Sequence, residues 1–428
     1  MIRLKEHKYH QDDLRSQRFL NPQVLLLPLS QHTGKPSVCQ VKIGQEIDEA
    51  QAIAVEDGFI SARLHSPSKG KVISLDKVNH PNLKRAAAVT IQCITENKRY
   101  RCLRDPAKLE REGLLEIIKD KGIVGMGGAA FPSYVKLKPP VGIDTLIING
   151  CECEPFLTTD YCLMLENLKE IFLGIEIISR IIKPKRIIFA IEENKKGVLK
   201  QLNLFVSMRK FNLPQIKSAV LKARYPQGGE KQLIYALTGR KVNSGKLPFD
   251  TGCLVHNVAT CFAVYEAVYL DKPLIERLVS FCGDGLKEPK NVWVKIGTTL
   301  SELLEKKIIE LKQEPKKIIC GGPMMGVALA GLDYPVLKGT GGFIFLSKIP
   351  LSAEETPCLK CGRCVDTCPM NLLPLEYARA VKKEAYSQLE SLSLSDCIEC
   401  GCCAYVCPAK IPLTHYIKTG KYYVAKSK

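Results

Sequence analysis

Short apolar runs alternate with longer segments of helical periodicity through the middle of the chain. The apolar runs predict strands at residues 144–149, 186–192, 218–224 and 252–257. The longer segments predict helices at about 163–182, 194–209, 229–238 and 258–269. Strands that alternate with helices favour a parallel sheet covered on both faces, and such sheets bind ligands beyond the carboxyl ends of their strands.

Different patterns flank this α/β region. Before it, residues 23–100 contain short apolar runs separated by glycines, which is typical of a small all-β unit. The separating glycines are Gly34, Gly44, Gly58 and Gly70. After it, residues 375–392 have helical composition. Their candidate buried positions are Leu375, Tyr377, Ala378, Val381 and Ala385. The chain therefore predicts a multidomain α/β protein, as its 428 residues also suggest.

The composition excludes several classes of protein. Hydrophobic residues make up 46% and charged residues 25%, which rules out a mostly disordered or fibrous chain. The charged first fifteen residues lack the apolar stretch of a secretory signal, and this favours a reducing compartment. The longest apolar candidate, residues 171–191, is interrupted by charges and a proline. It predicts a helix, a turn and a strand, so we expect no membrane span in the chain itself.

The net charge of +18 suits an anionic lipid surface or an acidic partner, and it equally suits a solvated basic face. Residues 352–428 hold ten basic and eight acidic residues, so the excess of positive charge lies elsewhere. Because no Lys/Arg run resembles a nucleic-acid-binding arm, we expect no nucleic acid partner.

The cysteines carry the strongest chemical signal. Nineteen is an odd number, which excludes complete intrachain pairing. The spacing C-x2-C-x2-C-x3-C, followed by proline, occurs at Cys358, Cys361, Cys364 and Cys368. It recurs 39 residues later at Cys397, Cys400, Cys403 and Cys407. Motifs of this kind hold two [4Fe–4S] clusters, and the fourth cysteine of each motif ligates the other cluster.

The predicted ligand sets follow because each motif gives its fourth cysteine to the other cluster. They are Cys358, Cys361, Cys364 and Cys407 for the first cluster, and Cys397, Cys400, Cys403 and Cys368 for the second. Eight thiolates leave no open coordination position, so the sequence predicts electron transfer and no chemistry on a substrate. Structural zinc is the alternative interpretation of paired cysteines. Cys402 is left over and is interpreted as a structural thiol.

Four turns rich in glycine or polar residues lie where a parallel sheet would hold a ligand. They are residues 122–132, 149–155, 225–231 and 256–260. Glycines let a phosphate or a ring approach the backbone, and Lys136 can meet a phosphate as a point charge. Each turn also has an ordinary interpretation: a plain turn, a helix N-terminus for Glu152 and Glu154, or a structural role for His256. Their grouping favours a ligand site.

The order of these residues resembles the FMN/NADH-binding subunit of respiratory complex I and its relatives. The resemblance is carried by Gly125-x-Gly127-Gly128 with Lys136, Asn149-x-x-Glu152-x-Glu154, Tyr225-x-x-Gly228-x-Glu230 and Asn257-x-x-Thr260. That subunit has a single cluster, whereas this chain has two cluster motifs. The combination is similar to the RnfC family, a component of the Rnf ion-translocating electron transport complex, over nearly the whole chain from about residue 23.

The resemblance implies five regions. They are an N-terminal segment (1–22), a barrel-sandwich, lipoyl-like domain (23–100), a Rossmann-like FMN/NADH-binding α/β domain (101–275), a soluble-ligand-binding β-grasp domain (276–350) and a helical, ferredoxin-type two-[4Fe–4S] domain (351–428). No carrier lysine motif is present, so covalent lipoyl or biotin is not expected. The Gly-Gly-x-His-Pro segment usual near the family's N-terminus is absent, which leaves residues 1–22 without an interpretation.

The resemblance also implies a site for non-covalent FMN. Its lining would be Gly125, Gly127, Gly128, Lys136, Asn149, Glu152, Glu154, Tyr225, Gly228, Glu230, Asn257 and Thr260. Phe131 and Glu154 would lie near the nicotinamide of NAD(H), and no catalytic side chain is assigned because the flavin carries the hydride chemistry. Three residues depart from the pattern of the complex I relatives. Ala130 stands for a glycine, Cys151 for an acidic residue and His256 for an asparagine. Cys151 and Cys153 lack the partner pair of a metal site.

The function implied is that of a peripheral subunit on the cytoplasmic side of the cell membrane. It would exchange electrons between NAD(H) and ferredoxin or partner subunits through FMN and two [4Fe–4S] clusters. Two alternatives stay open. The first is a soluble flavin iron–sulfur reductase of the cobalamin-reductase or proline-reductase carrier type. The second is an electron-wire subunit without catalytic activity.

Overall fold

A computed structural model of the chain describes residues 1–5, 7, 15–94, 100–101, 104–207, 211–349 and 354–426. The first strand, β1 (Ser16–Phe19), pairs in parallel with residues 291–294, far along the chain. Ile2 forms an isolated antiparallel bridge with Tyr225. The described part of the N-terminal segment therefore lies on later domains, while residues 8–14 fall outside the described residues.

An all-β unit follows. Its strands are β2 (Val24–Pro28), β3 (Val38–Cys39), β4 (Glu46–Ile47), β5 (Ala52–Val55), β6 (Leu64–His65), β7 (Gly70–Ser74), β8 (Lys77–His80) and β9 (Lys84–Cys93). They form antiparallel sheets in the orders β2-β9-β7-β4 and β3-β5-β6, with β8 paired to β9. The prediction that Gly70 separates strands is wrong, because Gly70 begins β7. A Cβ there would lie 2.2 Å from the carbonyl oxygen of Gln92 on β9.

The central unit is a four-stranded parallel sheet with helices on both faces. Its strands are β10 (Thr145–Gly150), β11 (Arg186–Glu192), β12 (Gln215–Leu221) and β13 (Cys253–Asn257), in the order β12-β11-β10-β13. Its helices are α1 (Arg111–Asp120), α2 (Ser133–Lys136), α3 (Thr159–Ile182), α4 (Lys196–Ser207), α5 (Glu230–Thr238) and α6 (Val258–Tyr269). Helices α3 and α6 pack closely, since a Cβ on Gly174 would lie 1.8 Å from the carbonyl oxygen of Cys261.

The predicted strands and helices of this unit are present, with shifted ends. Strand β12 begins three residues before the predicted 218–224 and stops at Leu221. The reason is register: Leu221 pairs with Glu192, the last residue of β11, so residues 222–224 have no partner strand and begin a turn. The predicted helix 194–209 spans Lys196–Ser207, and residues 208–210 lie outside the described part of the chain.

The third unit is a mixed sheet. Its elements are β14 (Glu276–Cys282), β15 (Lys290–Lys295), α7 (Leu300–Glu305), β16 (Lys317–Cys320), β17 (Val327–Leu329) and β18 (Gly342–Leu346). The strand order is β1-β15-β14-β18-β16-β17, so β1 forms one edge. Phe281, Val292 and Phe343 are buried in the core of this unit, between the sheet and α7.

The last unit is helical. Its helices are α8 (Arg363–Asp366), α9 (Pro374–Lys382), α10 (Gln388–Ser391), α11 (Cys402–Tyr405) and α12 (Leu413–Lys426). Residues 375–392, which have helical composition, form two helices and not one, because α9 ends at Lys382 and Glu384 adopts a positive φ of 56°. The break turns Leu389 back into the core, where it packs beside Gly420 of α12. Within the described residues, every helix is too short or too polar to span a bilayer.

Candidate functional site

Two cavities in the helical unit are lined by cysteines. The first cysteine cavity is lined by Cys358, Cys361, Cys364 and Cys407. The second cysteine cavity is lined by Cys368, Cys397, Cys400, Cys402 and Cys403. Apart from the additional Cys402, each cavity takes three thiols from one motif and the fourth from the other. This is the grouping that the sequence predicts for two clusters.

Four motif thiols line each cavity, which is the number and kind of ligand that one [4Fe–4S] cluster requires. In the described part of the chain, no three His, Cys, Asp or Glu side chains converge closely enough to hold one metal ion. Backbone N–H groups instead approach the sulfurs: the Lys360 nitrogen lies 3.3 Å from Cys358 Sγ, and the Glu399 nitrogen 3.4 Å from Cys397 Sγ. Hydrogen bonds from such donors to the ligating sulfurs are one of the factors that set the reduction potential of an iron–sulfur cluster.

The two cysteine cavities have different surroundings. Cys361 and Leu359 of the first are exposed, so this cavity opens at the surface. The second is buried against the central unit, where the hydroxyl of Tyr225 donates a hydrogen bond of 2.9 Å to the carbonyl oxygen of Cys400. Tyr225 is buried and also exchanges backbone hydrogen bonds of 2.9 and 2.8 Å with Ile2. Tyr225 thus connects the N-terminus, the central sheet edge and the second cavity.

The glycine-rich loop, residues 122–132, follows helix α1 and not the end of a strand. It reaches the carboxyl edge of the sheet through α6, because the Met126 nitrogen donates a 3.0 Å hydrogen bond to Thr260 Oγ1. A Cβ on Gly127 would lie 2.9 Å from the Cβ of Asn257, whereas one on Gly128 would meet nothing within 4 Å. The loop therefore has a packed side against β13 and an open side where a flat ligand can approach the backbone.

The second and third predicted turns, residues 149–155 and 225–231, are joined by a hydrogen bond and close packing. Asn149 Nδ2 donates to the carbonyl oxygen of Gly228 at 2.9 Å, and the nitrogen of Cys151 donates to Asn149 Oδ1 at 3.0 Å. A Cβ on Gly228 would lie 2.4 Å from the carbonyl oxygen of Cys151, so only glycine fits there. Beside this contact, Lys136 Nζ lies 2.7 Å from Glu230 Oε1, both side chains being partly exposed. Together with the contact between Gly127 and Asn257, these contacts bring residues from four separate segments to one sheet edge.

Glu152, by contrast, stabilises the start of helix α3. Its carboxylate accepts a hydrogen bond of 3.1 Å from the nitrogen of Asp160 and one of 3.5 Å from that of Tyr161, at the start of α3. It therefore acts at a helix N-terminus, the ordinary interpretation open for it.

Glu154 contacts the third unit. It accepts hydrogen bonds of 3.2 and 3.1 Å from the nitrogens of Met324 and Met325. Its carboxyl group occupies the space that a Cβ on Gly322 would need, 2.1 Å away. The described geometry therefore gives Glu154 a role in joining two units, while Phe131, partly buried, lies in the glycine-rich loop.

The residues that depart from the family pattern have local explanations. Ala130 adopts a positive φ of 52°, a conformation that glycine reaches without strain, so the glycine of the expected pattern would also fit there. His256 is buried, and burial lowers its pKa to about 3, so the ring is neutral at physiological pH. Cys151 is buried and its backbone forms the contact with Gly228.

Asp160 is a site residue that the sequence reasoning missed. Asn257 Nδ2 donates a hydrogen bond of 2.6 Å to its carboxylate, which connects it to the packed side of the glycine-rich loop. Burial, and then the neighbouring Glu152, raise the pKa of Asp160 from its ordinary 3.8 to about 7, while Arg277 and Lys195 act in the opposite direction. The signal was available, since Asp160 follows the 149–155 turn at the beginning of a helix.

We expect Asp160→Asn to change how stability depends on pH. A raised carboxyl pKa contributes stability below the unfolded value, near 4, and this contribution is lost as pH rises through 7. The variant should therefore match the wild type at pH 4 and exceed it at pH 8, by roughly 1–4 kcal/mol. Thermal midpoints at both pH values measure this. The exposed Asp333→Asn is the control, and a difference that stays constant with pH would contradict the prediction.

Comparisons with known proteins match three of the expected regions. Residues 2–96 match the family model of the RnfC barrel-sandwich hybrid domain, residues 118–266 the Nuo51 FMN-binding domain and residues 357–411 a 4Fe–4S dicluster domain. The fold is similar to that of an NAD+-reducing [NiFe]-hydrogenase in the H2-reduced state, with a TM-score of 0.53 and 17% identity over 74% of this chain and 61% of that chain. These matches define the class: an FMN- and iron–sulfur-binding electron-transfer protein.

Full-length relatives narrow this class. The chain is 41% identical to the C subunit of the proton-translocating ferredoxin:NAD(+) oxidoreductase complex of Clostridium ljungdahlii, covering 93% of this chain and 87% of the relative. It is 35% identical to the corresponding Na(+)-translocating protein of Acetobacterium woodii, covering 94% and 90%. It is 38% identical to the C subunit of the ion-translocating oxidoreductase complex of Pseudomonas aeruginosa, covering 92% of this chain and 51% of the relative. The chain belongs to this RnfC family, so the predicted resemblance is confirmed.

Proposed function

We propose that this chain exchanges electrons between NAD(H) and ferredoxin or partner subunits, as a peripheral subunit of an ion-translocating complex. The names of the relatives support this activity. FMN, when bound, supplies both hydride and single-electron chemistry, and [4Fe–4S] clusters carry single electrons. The observation that carries the proposal is the hydrogen bond from Tyr225 to Cys400, because it joins the flavin-binding unit directly to a cysteine cavity.

We assign FMN to the sheet edge where the four turns meet. The open side of the glycine-rich loop at Gly128 leaves room for a flat ring. The hydrogen bond between Asn149 and Gly228 holds the two turns that would line the other side of the site. Lys136, whose charge is now shared with Glu230, provides the positive group that a phosphate requires. These residues bind and orient the cofactor, and no acid–base pair is required of them.

The surroundings of the two cysteine cavities support an order of electron transfer. The second cavity adjoins Tyr225 and the central unit, and the first opens at the surface around Cys361. An electron leaving the central unit would therefore reach the second cluster, then the first, and then a partner. The reverse order would serve reduction of NAD+.

We also propose the finer architecture. The parallel order β12-β11-β10-β13 supports a Rossmann-like arrangement for residues 101–275. The mixed sheet with α7 across it supports a β-grasp domain for residues 276–350. The flanking domains would be 23–100 and 351–428. Because NAD(H) and ferredoxin are cytoplasmic reactants, we place the protein on the cytoplasmic side of the membrane.

The Lys136→Ala variant tests the assignment. Loss of this ammonium leaves the Glu230 carboxylate, its present partner at 2.7 Å, uncompensated beside the expected phosphate. We expect FMN affinity to fall about 10–100-fold, since a hydrogen bond to a charged group contributes roughly 1.5–3 kcal/mol. FMN per chain and NADH:ferricyanide activity measure this, with the exposed Lys138→Ala as the matched control.

Two outcomes of that experiment would count against the proposal. Unchanged FMN content in Lys136→Ala would remove Lys136 from the site. A wild-type protein that contains iron but neither binds FMN nor oxidises NADH would favour the electron-wire alternative.

A further inference from the structure

A loop of the all-β unit, residues 56–61, lies against the glycine-rich loop of the central unit. The hydroxyl of Tyr134, the second residue of α2, donates a hydrogen bond of 2.6 Å to the carbonyl oxygen of Phe59. The neighbouring turn is also attached, since the Thr33 nitrogen donates to the carbonyl oxygen of Ala130 at 3.3 Å. The first domain therefore forms part of the rim of the proposed flavin site.

This loop is held tightly. The Lys35 nitrogen donates to the carbonyl oxygen of Ile60 at 3.1 Å, and Gly34 packs so closely on Ile60 that a Cβ would lie 2.0 Å from that oxygen. Gly58 adopts a positive φ of 85°, which allows the sharp turn just before Phe59. The position of Phe59 is consequently fixed by the fold and is not that of a loose loop tip.

Phe59 is nevertheless 70% exposed, which makes it the most exposed of the large hydrophobic residues described. Among the described residues, no aromatic ring or cation stacks on it. The backbone is anchored at both neighbouring turns, yet the side chain stays in solvent. The contacts of Tyr134 with Phe59 and of Thr33 with Ala130 hold its loop against the segment that carries the exposed glycines Gly127 and Gly128. A fixed, solvent-facing ring at the rim of a nucleotide site is suited to stacking on a planar ligand.

We propose that Phe59 stacks on a base of the NAD(H) dinucleotide, so that the barrel-sandwich domain contributes to substrate binding. This inference rests on the proposed function, because it requires NAD(H) as the substrate. The charged surroundings favour a dinucleotide over an apolar protein partner. Lys35, 3.9 Å from Asp57, is largely exposed on the same rim, where it can approach a phosphate.

The test compares Phe59→Ala with Phe59→Tyr. Loss of a stacked base contact costs about 1–3 kcal/mol, so Phe59→Ala should raise the Kd for NAD+ and the KM for NADH about tenfold. FMN content and kcat with ferricyanide should stay unchanged, because the ring touches only the substrate. Phe59→Tyr keeps an aromatic face and should restore binding. Leu83→Ala, also exposed and in the same domain, is the matched control.

The outcomes separate the two proposals. If the wild type oxidises NADH and Phe59→Ala leaves both Kd and KM unchanged, the stacking role is overturned while the proposed function stands. If Phe59→Ala instead weakens only association with partner subunits, Phe59 belongs to a protein interface and the stacking role is likewise overturned. If the wild type neither binds nor oxidises NADH, the proposed function itself fails.

Discussion

A Cys368→Ala variant is expected to lose the second cluster and to keep the first. Cys368 belongs to the first motif in sequence, but it lines the second cysteine cavity together with Cys397, Cys400 and Cys403. Because each cluster holds four irons, iron content should fall from about eight to about four per chain. The second cavity adjoins the central unit, so loss of the second cluster should also interrupt electron transfer from the flavin to the first cluster. We expect NADH-dependent reduction of the remaining cluster to slow by at least roughly 100-fold.

The matched control is Cys361→Ala, at the exposed end of the first cavity. It should lose the same amount of iron, yet NADH should still reduce the cluster that remains. Iron analysis, with electron paramagnetic resonance after reduction by NADH and by dithionite, distinguishes the two variants. If Cys368→Ala lost the first cluster, the exchange of fourth ligands would be wrong. If NADH reduced the remaining cluster equally fast in both variants, the order of the clusters would be wrong.

Substitutions at two adjacent glycines should distinguish residues that stabilise the glycine-rich loop from residues that contact FMN. In Gly127→Ala the new Cβ would lie 2.9 Å from the Cβ of Asn257, which caps α6, so the protein without FMN should lose about 1–3 kcal/mol of stability. In Gly128→Ala the new Cβ meets nothing within 4 Å, and stability should change by less than about 0.5 kcal/mol.

Affinity for FMN should show a different pattern. The methyl group of Gly128→Ala enters the open side of the loop, where the flavin would lie, so we expect FMN affinity to fall about 10–100-fold. Thermal unfolding of the FMN-free protein and fluorescence titration with FMN measure the two effects. Tight FMN binding by a stable Gly128→Ala protein would show that the ligand approaches from another side.

The central sheet is predictable from sequence because its signals are local. The apolar run at residues 186–192 and the helical pattern at 258–269 coincide with β11 and α6. The break after α9 is not predictable in this way. Residues 375–392 have helical composition throughout, and the turn brings Leu389 into the core beside Gly420 and Leu392 to the hydroxyl of Tyr377. Tertiary contacts override local preference at that point.

Some residues of the candidate site are likewise predictable from the sequence, and others are not. Asn149, Gly228, Lys136 and Glu230 are recognisable from motifs, and the fold brings them together. Asp160 acquires its properties from burial among Glu152, Arg277 and Lys195, of which two come from distant segments. Phe59 reaches the site only through contacts between two domains. The position of Asp160 after a turn is visible in the sequence, but its raised pKa and the position of Phe59 depend on residues that are distant along the chain.

The pairing of β1 with β15 has a consequence for biosynthesis. Ser16 lies opposite Asn291, so an edge of the third unit's sheet is supplied by residues that are synthesised well before their partner strand. That strand must wait, with its backbone groups unpaired, until most of the chain has been made. Domains that fold in order of synthesis protect such edges early, and this chain does not. We therefore expect this edge of the sheet to form late, after residues 291–294 have been synthesised.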